Sequence, residues 1–418
     1  MMRESTDVLI VGAGPTGLSL SIALHQRGIA HVLIDRLEQG QNTSRAGVIH
    51  AQTLESLREL GVTERLTALG LKLDAFAIRE RDRALLELSF RDLPSAFPYL
   101  LMLPQNVTEA VLAERIAELG GTIRRGVTAE SIEPATEGAR VTVSERGEPR
   151  VISAKWVVGA DGMHSLVRRA AGVEFDGASY AESFVLADVH LDRAPAPDEV
   201  SLFFSPDGVL VVAPLPGGTY RVVATLNDAP EQPGLADIQA LLDSRGPAER
   251  RCRVLDVTWS SRFRLHHRLA TSYRSGRLLL MGDAAHVHSP AGGQGMNTGI
   301  IDATVLGRLL ADVVTGARRE ADIDLYQSLR QPAAAQVLDL ADRLTNMATA
   351  KSWLERRWRN ALLRIVGSLP FLRRRIALSL SGLGRAALAQ VPPQPVSDCV
   401  GRVPECVAPR GRRRLAVP

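Results

Sequence analysis

The chain has 418 residues, 45% of them hydrophobic and 23% charged, with a formal net charge of +4 at pH 7. That size and apolar content support a large core divided over two or three domains, and exclude a disordered or fibrous chain. The modest charge, with much of the arginine late in the sequence, gives no basis for nucleic-acid binding. Met1 to Asp7 are polar and lead into a strand-like run, and no long uncharged apolar stretch follows, so neither a signal peptide nor a membrane span is expected. Cys252, Cys399 and Cys406 make neither a disulfide framework nor a metal site, which fits a cytoplasmic protein.

The first predicted element is the apolar strand Asp7 to Val11, which runs into Gly12-x-Gly14-Pro15-Thr16-Gly17. Such a loop needs Gly12 for a strained turn, Gly14 for close approach to a pyrophosphate, and Gly17 for helix–strand packing. A helix from Leu18 to Arg27 follows, its N-terminus suited to an anion, then a stop at Gly28 and a second strand from Ala30 to Ile34. That strand ends at Asp35-Arg36, where an acid can accept hydrogen bonds from a ribose. Phe76 to Leu88 reads as a strand-rich insertion closed by Pro104. From Gln105 a helix with Val107, Val111, Leu112, Ile116 and Leu119 on one face runs to Gly120-Gly121.

Strands are expected at Val141 to Val143 and Lys155 to Val158, and a sheet from Ser183 to Leu226 with turns at Pro206-Asp207-Gly208 and Gly217-Gly218. Far downstream a second apolar strand, Leu278 to Met281, meets Gly282-Asp283-Ala284-Ala285-His286. Two strand-to-turn elements of this kind suggest one extended ligand held at both ends, and point to FAD. Beyond Pro290 a glycine-rich turn leads near Gln294 into a helix with Ile300, Ile301, Val305, Leu306, Leu309 and Leu310 facing the core. The amides of Gly295, Met296 and Asn297 at its start can stabilise negative charge on a reduced flavin. Only the first strand carries a full Gly-x-Gly-x-x-Gly, so any second nucleotide would have to dock transiently.

The three signatures Gly12-x-Gly14-x-x-Gly17, Gly159-Ala160-Asp161-Gly162 and Gly282-Asp283 resemble those of the class A flavoprotein aromatic hydroxylases, typified by p-hydroxybenzoate hydroxylase. Ser44 to Glu55, Leu103-Pro104-Gln105-Asn106 and His286 to Gly299 are similar to further segments of that family, and the likeness covers residues 5 to about 350. It implies an α/β fold: a Rossmann-like FAD-binding domain interleaved with a mainly antiparallel β-sheet substrate domain, and a helical C-terminal region. The expected divisions are 1–75, 105–180 and 267–350 for FAD, 76–104 and 181–266 for substrate, 351–390 for C-terminal helices, and 391–418 for an irregular tail.

The resemblance further implies that Arg45 reaches the pyrophosphate or flavin, Gln105 the ribityl chain, Asp161 and Gly162 the pyrophosphate region, and Asp283 a ribityl or ribose hydroxyl. Arg168 would offer a fork to phosphate oxygens. The implied reaction uses NADPH or NADH and O2 to hydroxylate an aromatic or polyketide-type substrate through a flavin C4a-hydroperoxide, in a monomer or homodimer. Epoxidation and Baeyer–Villiger insertion stay open, as do a dehydrogenase or reductase on the same fold and a binding protein that has lost redox function. Halogenation is disfavoured, since no Trp-x-Trp-x-Ile-Pro segment is present.

No single base stands out among His50, His190, His266, His267, His286, His288 and Tyr220, and His286 belongs to the flavin motif as a structural residue. The family's tyrosine pair has no counterpart, which favours a larger, less polar substrate. Trp353 to Leu388 mixes apolar residues with arginines, among them Arg356, Arg357, Arg359, Arg364 and Arg373 to Arg375, as in basic amphipathic helices. A helical cap over the domains is the favoured reading, with contact to an anionic membrane as the alternative.

Overall fold

The structure is a computed structural model that describes residues 3–40, 46–226, 229–289, 292–348 and 352–394. It is a mixed α/β fold organised by two large sheets. At the centre of the first, Arg3–Val11 lies between Glu148–Gly159 and His31–Asp35, parallel to both, and Leu278–Leu280 runs parallel along the far side of Glu148–Gly159. Leu9, Ile10, Val157, Val158, Leu279 and Leu280 are fully buried, as in parallel strands covered on both faces. Because the four strands run the same way, Val11, Asp35, Gly159 and Leu280 end at one edge, and every connecting turn that left a sequence signature departs from it.

The first helix spans Pro15–His25 rather than starting at Leu18, because proline at its opening position already holds a helical φ. Gln105–Glu118 starts directly after Pro104, as the sequence suggests.

The second sheet has eight strands in the order His286–Val287, Val254–Ala270, Phe175–Leu191, Tyr220–Thr225, Gly208–Pro214, Glu199–Ser205, Ala75–Glu80 and Arg83–Ser89. All neighbours are antiparallel except Glu199–Ser205 with Ala75–Glu80. The pairing of the two 17-residue strands Phe175–Leu191 and Val254–Ala270 is the main feature absent from the sequence expectation. One face of this sheet packs under the helix Leu235–Arg245 in a separate core of Val185, Ala187, Val189, Phe203, Leu210 and Val222. The other face, with Phe184, Val211, Val223 and Phe263, joins the main core.

The helix Gly295–Val314 buries Ile300, Ile301, Val305, Leu306, Leu309 and Leu310, as its periodicity requires. On the same buried face sits Asp302, with 0% exposure. It accepts hydrogen bonds from His286 Nε2 at 2.6 Å, Arg330 Nε at 2.7 Å and the Gly282 amide at 3.2 Å. Burial would raise this carboxyl, but the neighbouring His286 and Arg330 side chains outweigh it and hold the group below the ordinary carboxylate range.

Asp302→Ala is expected to cost about 3–5 kcal/mol of unfolding free energy in urea titrations, because Arg330 would remain buried without its carboxylate partner. That contribution is present above the unfolded carboxyl value near 4 and fades as pH falls below it. A second pH effect has its own window. Burial pushes His31, His50 and His288 each down to about 4. Between that value and the unfolded value near 6.5 the folded chain binds fewer protons, so stability should fall as pH drops through this interval. His31→Gln should make the decline shallower; an unchanged slope would remove His31 from the account.

Candidate cofactor site

The glycine turn separates residues that the fold needs from one that it does not. Gly12 has φ +106°, and a β-carbon there would collide with the carbonyl of Ala160; one at Gly17 would collide with the carbonyl of Gly12. At Gly14 a β-carbon would meet nothing within 4 Å. The first and third glycines therefore serve packing, and the second lines an open cradle. No side chain caps the helix Pro15–His25, so its first amides face that cradle. Asp35 is held rigidly at the end of the second strand: Oδ2 accepts from the Ala13 amide at 2.6 Å and Oδ1 from the Leu37 amide at 2.9 Å. Arg36 beside it is exposed.

The far end of the ligand path meets the same edge. Thr16 lies against both Gly282, at φ +57°, and Gly299 on the helix Gly295–Val314, and a β-carbon on either glycine would strike its hydroxyl. This contact brings the starts of the two helices together, and Asp283 is exposed next to it. The helix Gly295–Val314 also has no side-chain cap, and among the described residues the amides of Gly295, Met296 and Asn297 have no hydrogen-bond partner at its start.

The Asn297 side chain has a fixed structural task. Oδ1 accepts from the His50 amide at 2.9 Å, while Nδ2 donates to the carbonyls of Val48 at 2.9 Å and Gly293 at 2.8 Å. It thereby clamps the glycine turn onto residues 48–50. Gln105 braces the neighbouring stretch, accepting from the Ala46 amide at 3.2 Å and donating to Glu109 at 2.8 Å. Arg45 and Pro290 lie outside the described residues.

Asp161 stands at the same sheet edge, but its carboxylate caps the helix Leu166–Ala170. It accepts from Ser165 Oγ at 2.5 Å and from the amides of Leu166 at 2.6 Å and Val167 at 3.3 Å. Burial raises its carboxyl in spite of these bonds. Gly162 follows at φ +76° with open space where a β-carbon would sit. The expected phosphate fork of Arg168 is corrected. Its guanidinium is buried, donates to the carbonyls of Ala284 at 2.9 Å and Met163 at 2.7 Å, and stacks 3.9 Å from the centre of the Phe175 ring. Arg168 is spent on joining the Asp161 loop to the Gly282 turn.

Among the histidines, His190 pairs with Asp256 and His267 with Asp342, on the second sheet and beside it. His286 is locked to Asp302, as a structural residue should be. His50 is buried and His288 half-buried near the helix start, and desolvation pushes both imidazoles down to about 4. The sequence reading missed Arg221, which forms a bidentate pair with Asp188 at 2.8 Å on both arms and donates to the Ala46 carbonyl at 2.7 Å. It also missed Gln294, which donates to Leu380 O at 2.8 Å and accepts from Arg385 at 3.0 Å, and Arg330. A polar residue recurring on an apolar helix stripe, as Asp302 does, was the available signal.

An open cradle at Gly14, an acid positioned beyond it, and two uncapped helix starts meeting at one sheet edge fit a long dinucleotide such as FAD. The family described as FAD binding domain matches residues 5–341. The 6-methylpretetramide 4-monooxygenase of Streptomyces rimosus is 36% identical over 356 residues, covering 84% of this chain and 63% of that protein. Pentachlorophenol 4-monooxygenase of Sphingobium chlorophenolicum is 33% identical, with 80% of this chain and 64% of that one covered. The match therefore spans a little under two thirds of the length of these two relatives. The p-nitrophenol 4-monooxygenase structure from Pseudomonas putida DLL-E4 superimposes with a TM-score of 0.83 at 25% identity, covering 92% of this chain and 99% of that one. With the FAD-binding pattern running through most of its length, the chain belongs to the family of class A FAD-dependent aromatic hydroxylases.

Proposed function

We propose that this chain is an FAD-dependent monooxygenase that uses NADPH or NADH and O2 to hydroxylate an apolar, polycyclic or polyketide-type aromatic substrate. The observation that carries the reading is the juxtaposition, through the Thr16 contact with Gly299, of the open cradle at Gly14 with the uncapped helix Gly295–Val314. The bound FAD supplies the redox and oxygen-transfer chemistry. The residues of the chain bind it, orient it and keep water away.

In this reading the amides of Thr16 and Gly17 and the first helix dipole hold the pyrophosphate, with Pro15 fixing the helix start and Gly162 leaving room beside it. Asp35, with Arg36 adjacent, takes the adenosine ribose, Asp283 a ribityl or ribose hydroxyl, Gln105 the ribityl chain, and Arg45 the pyrophosphate or the flavin side. The amides of Gly295, Met296 and Asn297 stabilise negative charge on the flat ring's polar edge. The divisions 76–104 and 181–266 form the substrate domain. Its inward face offers Phe184, Val211, Val223 and Phe263, with the Arg221–Asp188 pair at one end. An apolar wall of this kind suits fused rings better than a small phenolic acid. Because burial keeps His50 and His288 neutral and weakly basic, neither is assigned as the substrate base.

Gly14→Val is expected to leave the unfolding temperature near the parent value while lowering flavin content at least about tenfold, as a side chain fills the cradle. Gly17→Val should instead impair folding, since the contact it breaks is within the protein. Asp283→Ala should reduce flavin retention in purified protein. Full flavin in both Gly14→Val and Asp283→Ala would remove these residues from the site. For the reaction, anaerobic flavin reduction by NADPH or NADH should accelerate by about tenfold or more with a fused-ring aromatic compound bound, a barrier change of about 1.4 kcal/mol. Under labelled O2 the product should gain one labelled oxygen atom. Turnover that continues without O2 would establish a reductase instead.

A further inference from the structure

The two C-terminal helices leave an apolar surface uncovered. Trp353–Ser368 packs on Arg83–Ser89, burying Arg359, Asn360 and Leu363; Arg359 stacks 4.6 Å from the Phe204 ring centre and Asn360 donates to Glu80 at 2.9 Å. The inward side is therefore largely polar. On the outward side Leu354, Trp358, Leu362 and Ile365 recur with helical spacing and are 51%, 71%, 58% and 58% exposed, and Phe371 on Pro370–Leu380 continues the patch at 66%. This inverts the usual arrangement, in which a helix turns its apolar stripe to the core.

The charge around the patch identifies what covers it. Arg357, Arg364, Arg373, Arg374 and Arg375 are exposed and Arg356 half-buried, and none of the six forms an ion pair among the described residues. From Ser352 to Gln394 the only acid is Glu355, which is engaged in the helix cap with the Ser352 amide. A second copy docking through the same face would press two arginine clusters together. The tail 395–418 carries five arginines against Asp398 and Glu405, so it has the wrong sign as well. An anionic lipid surface satisfies every feature at once: it accepts the aliphatic and aromatic side chains at the acyl boundary, places Trp353 and Trp358 among the headgroups, and pairs arginine with phosphate. Among the described residues no helix is long and apolar enough to cross a membrane, so the contact is one of lying on the surface.

We propose that the helices Trp353–Ser368 and Pro370–Leu380 dock the protein onto anionic phospholipid bilayers. The proposal stands on this face alone and is independent of the reaction assigned above.

The test uses the full flavin-loaded chain in sedimentation with vesicles of phosphatidylcholine alone or of equal parts phosphatidylcholine and phosphatidylglycerol. The protein should pellet with the anionic vesicles and stay in solution with the neutral ones. Tryptophan emission should shift to shorter wavelength on binding, and added salt should weaken the interaction. The exposed-face variant Trp358→Glu/Leu362→Glu/Ile365→Glu should lose at least about tenfold in binding, as should Arg373→Glu/Arg374→Glu/Arg375→Glu, with flavin content and melting temperature unchanged. Absence of binding to anionic vesicles, or binding that both variants retain, overturns the proposal. So does sedimentation velocity showing a self-association that the first variant abolishes, since that result assigns the face to a second copy.

Discussion

Backbone lying directly against backbone is the constraint on which the site depends. Where Gly12, Gly17, Gly282, Gly299 and Gly307 occur, a β-carbon would enter the space of Ala160, Gly12, Thr16 or Ala23. Removing those side chains lets the helices Pro15–His25 and Gly295–Val314 settle against the sheet edge and against each other. Two helix starts, each bearing roughly half a positive charge, then face one region. Charges of like sign are brought together only at some electrostatic cost, and an anionic dinucleotide long enough to reach both offsets it. Gly14 belongs to the same motif but obeys a different rule, because its missing side chain leaves open space rather than a protein contact.

Buried polar groups then fix the loops around that edge. Asp302 ties His286, Arg330 and the Gly282 amide together, and so links the turn after the strand ending at Leu280 to the later helix Leu325–Ala348. Asn297 does the same for the glycine turn and residues 48–50, and Gln294 extends the link to Leu380 and Arg385. Burying such charges is costly in desolvation, so their value lies in geometry rather than net stability. Arg221 carries the constraint to the second sheet, joining Asp188 to the Ala46 carbonyl. The second sheet and the candidate cofactor loop are thereby registered to each other through the Arg221 guanidinium.

What was legible in the sequence is what backbone geometry demands within a few residues. Gly12 to Gly17 announce a turn and a helix start, Pro104 announces the helix that follows, and the stripe from Ile300 to Leu310 announces a buried helix. The long pair Phe175–Leu191 and Val254–Ala270 was harder, because its partners lie far apart in the chain and its alternation is interrupted at several bulges. Arg168 was misread for a related reason. An arginine after a glycine-rich turn looks like a phosphate ligand, and only the fold reveals that two carbonyls and the Phe175 ring already consume its guanidinium. Asp302 and Arg330 were passed over because a charge on a helix reads as exposed unless its distant partner is known.

The C-terminal helices expose the limit of periodicity in another way. The spacing of apolar residues along a sequence fixes how they spread around a helix but not which side meets the protein. In Trp353–Ser368 the inward side is chosen by specific polar fits, Arg359 against Phe204 and Asn360 against Glu80, with Leu363 as the apolar anchor. Those contacts set the helix's rotation, and the rotation leaves Trp358, Leu362 and Ile365 facing out. If hydrophobic burial alone directed docking, the helix would turn to cover them. Its observed orientation means that the polar contacts and Leu363 outweigh that gain, or that the outward stripe is satisfied elsewhere. The surrounding arginines, which form no ion pair among the described residues, favour the second alternative, because a cap with no partner to meet has no need of them.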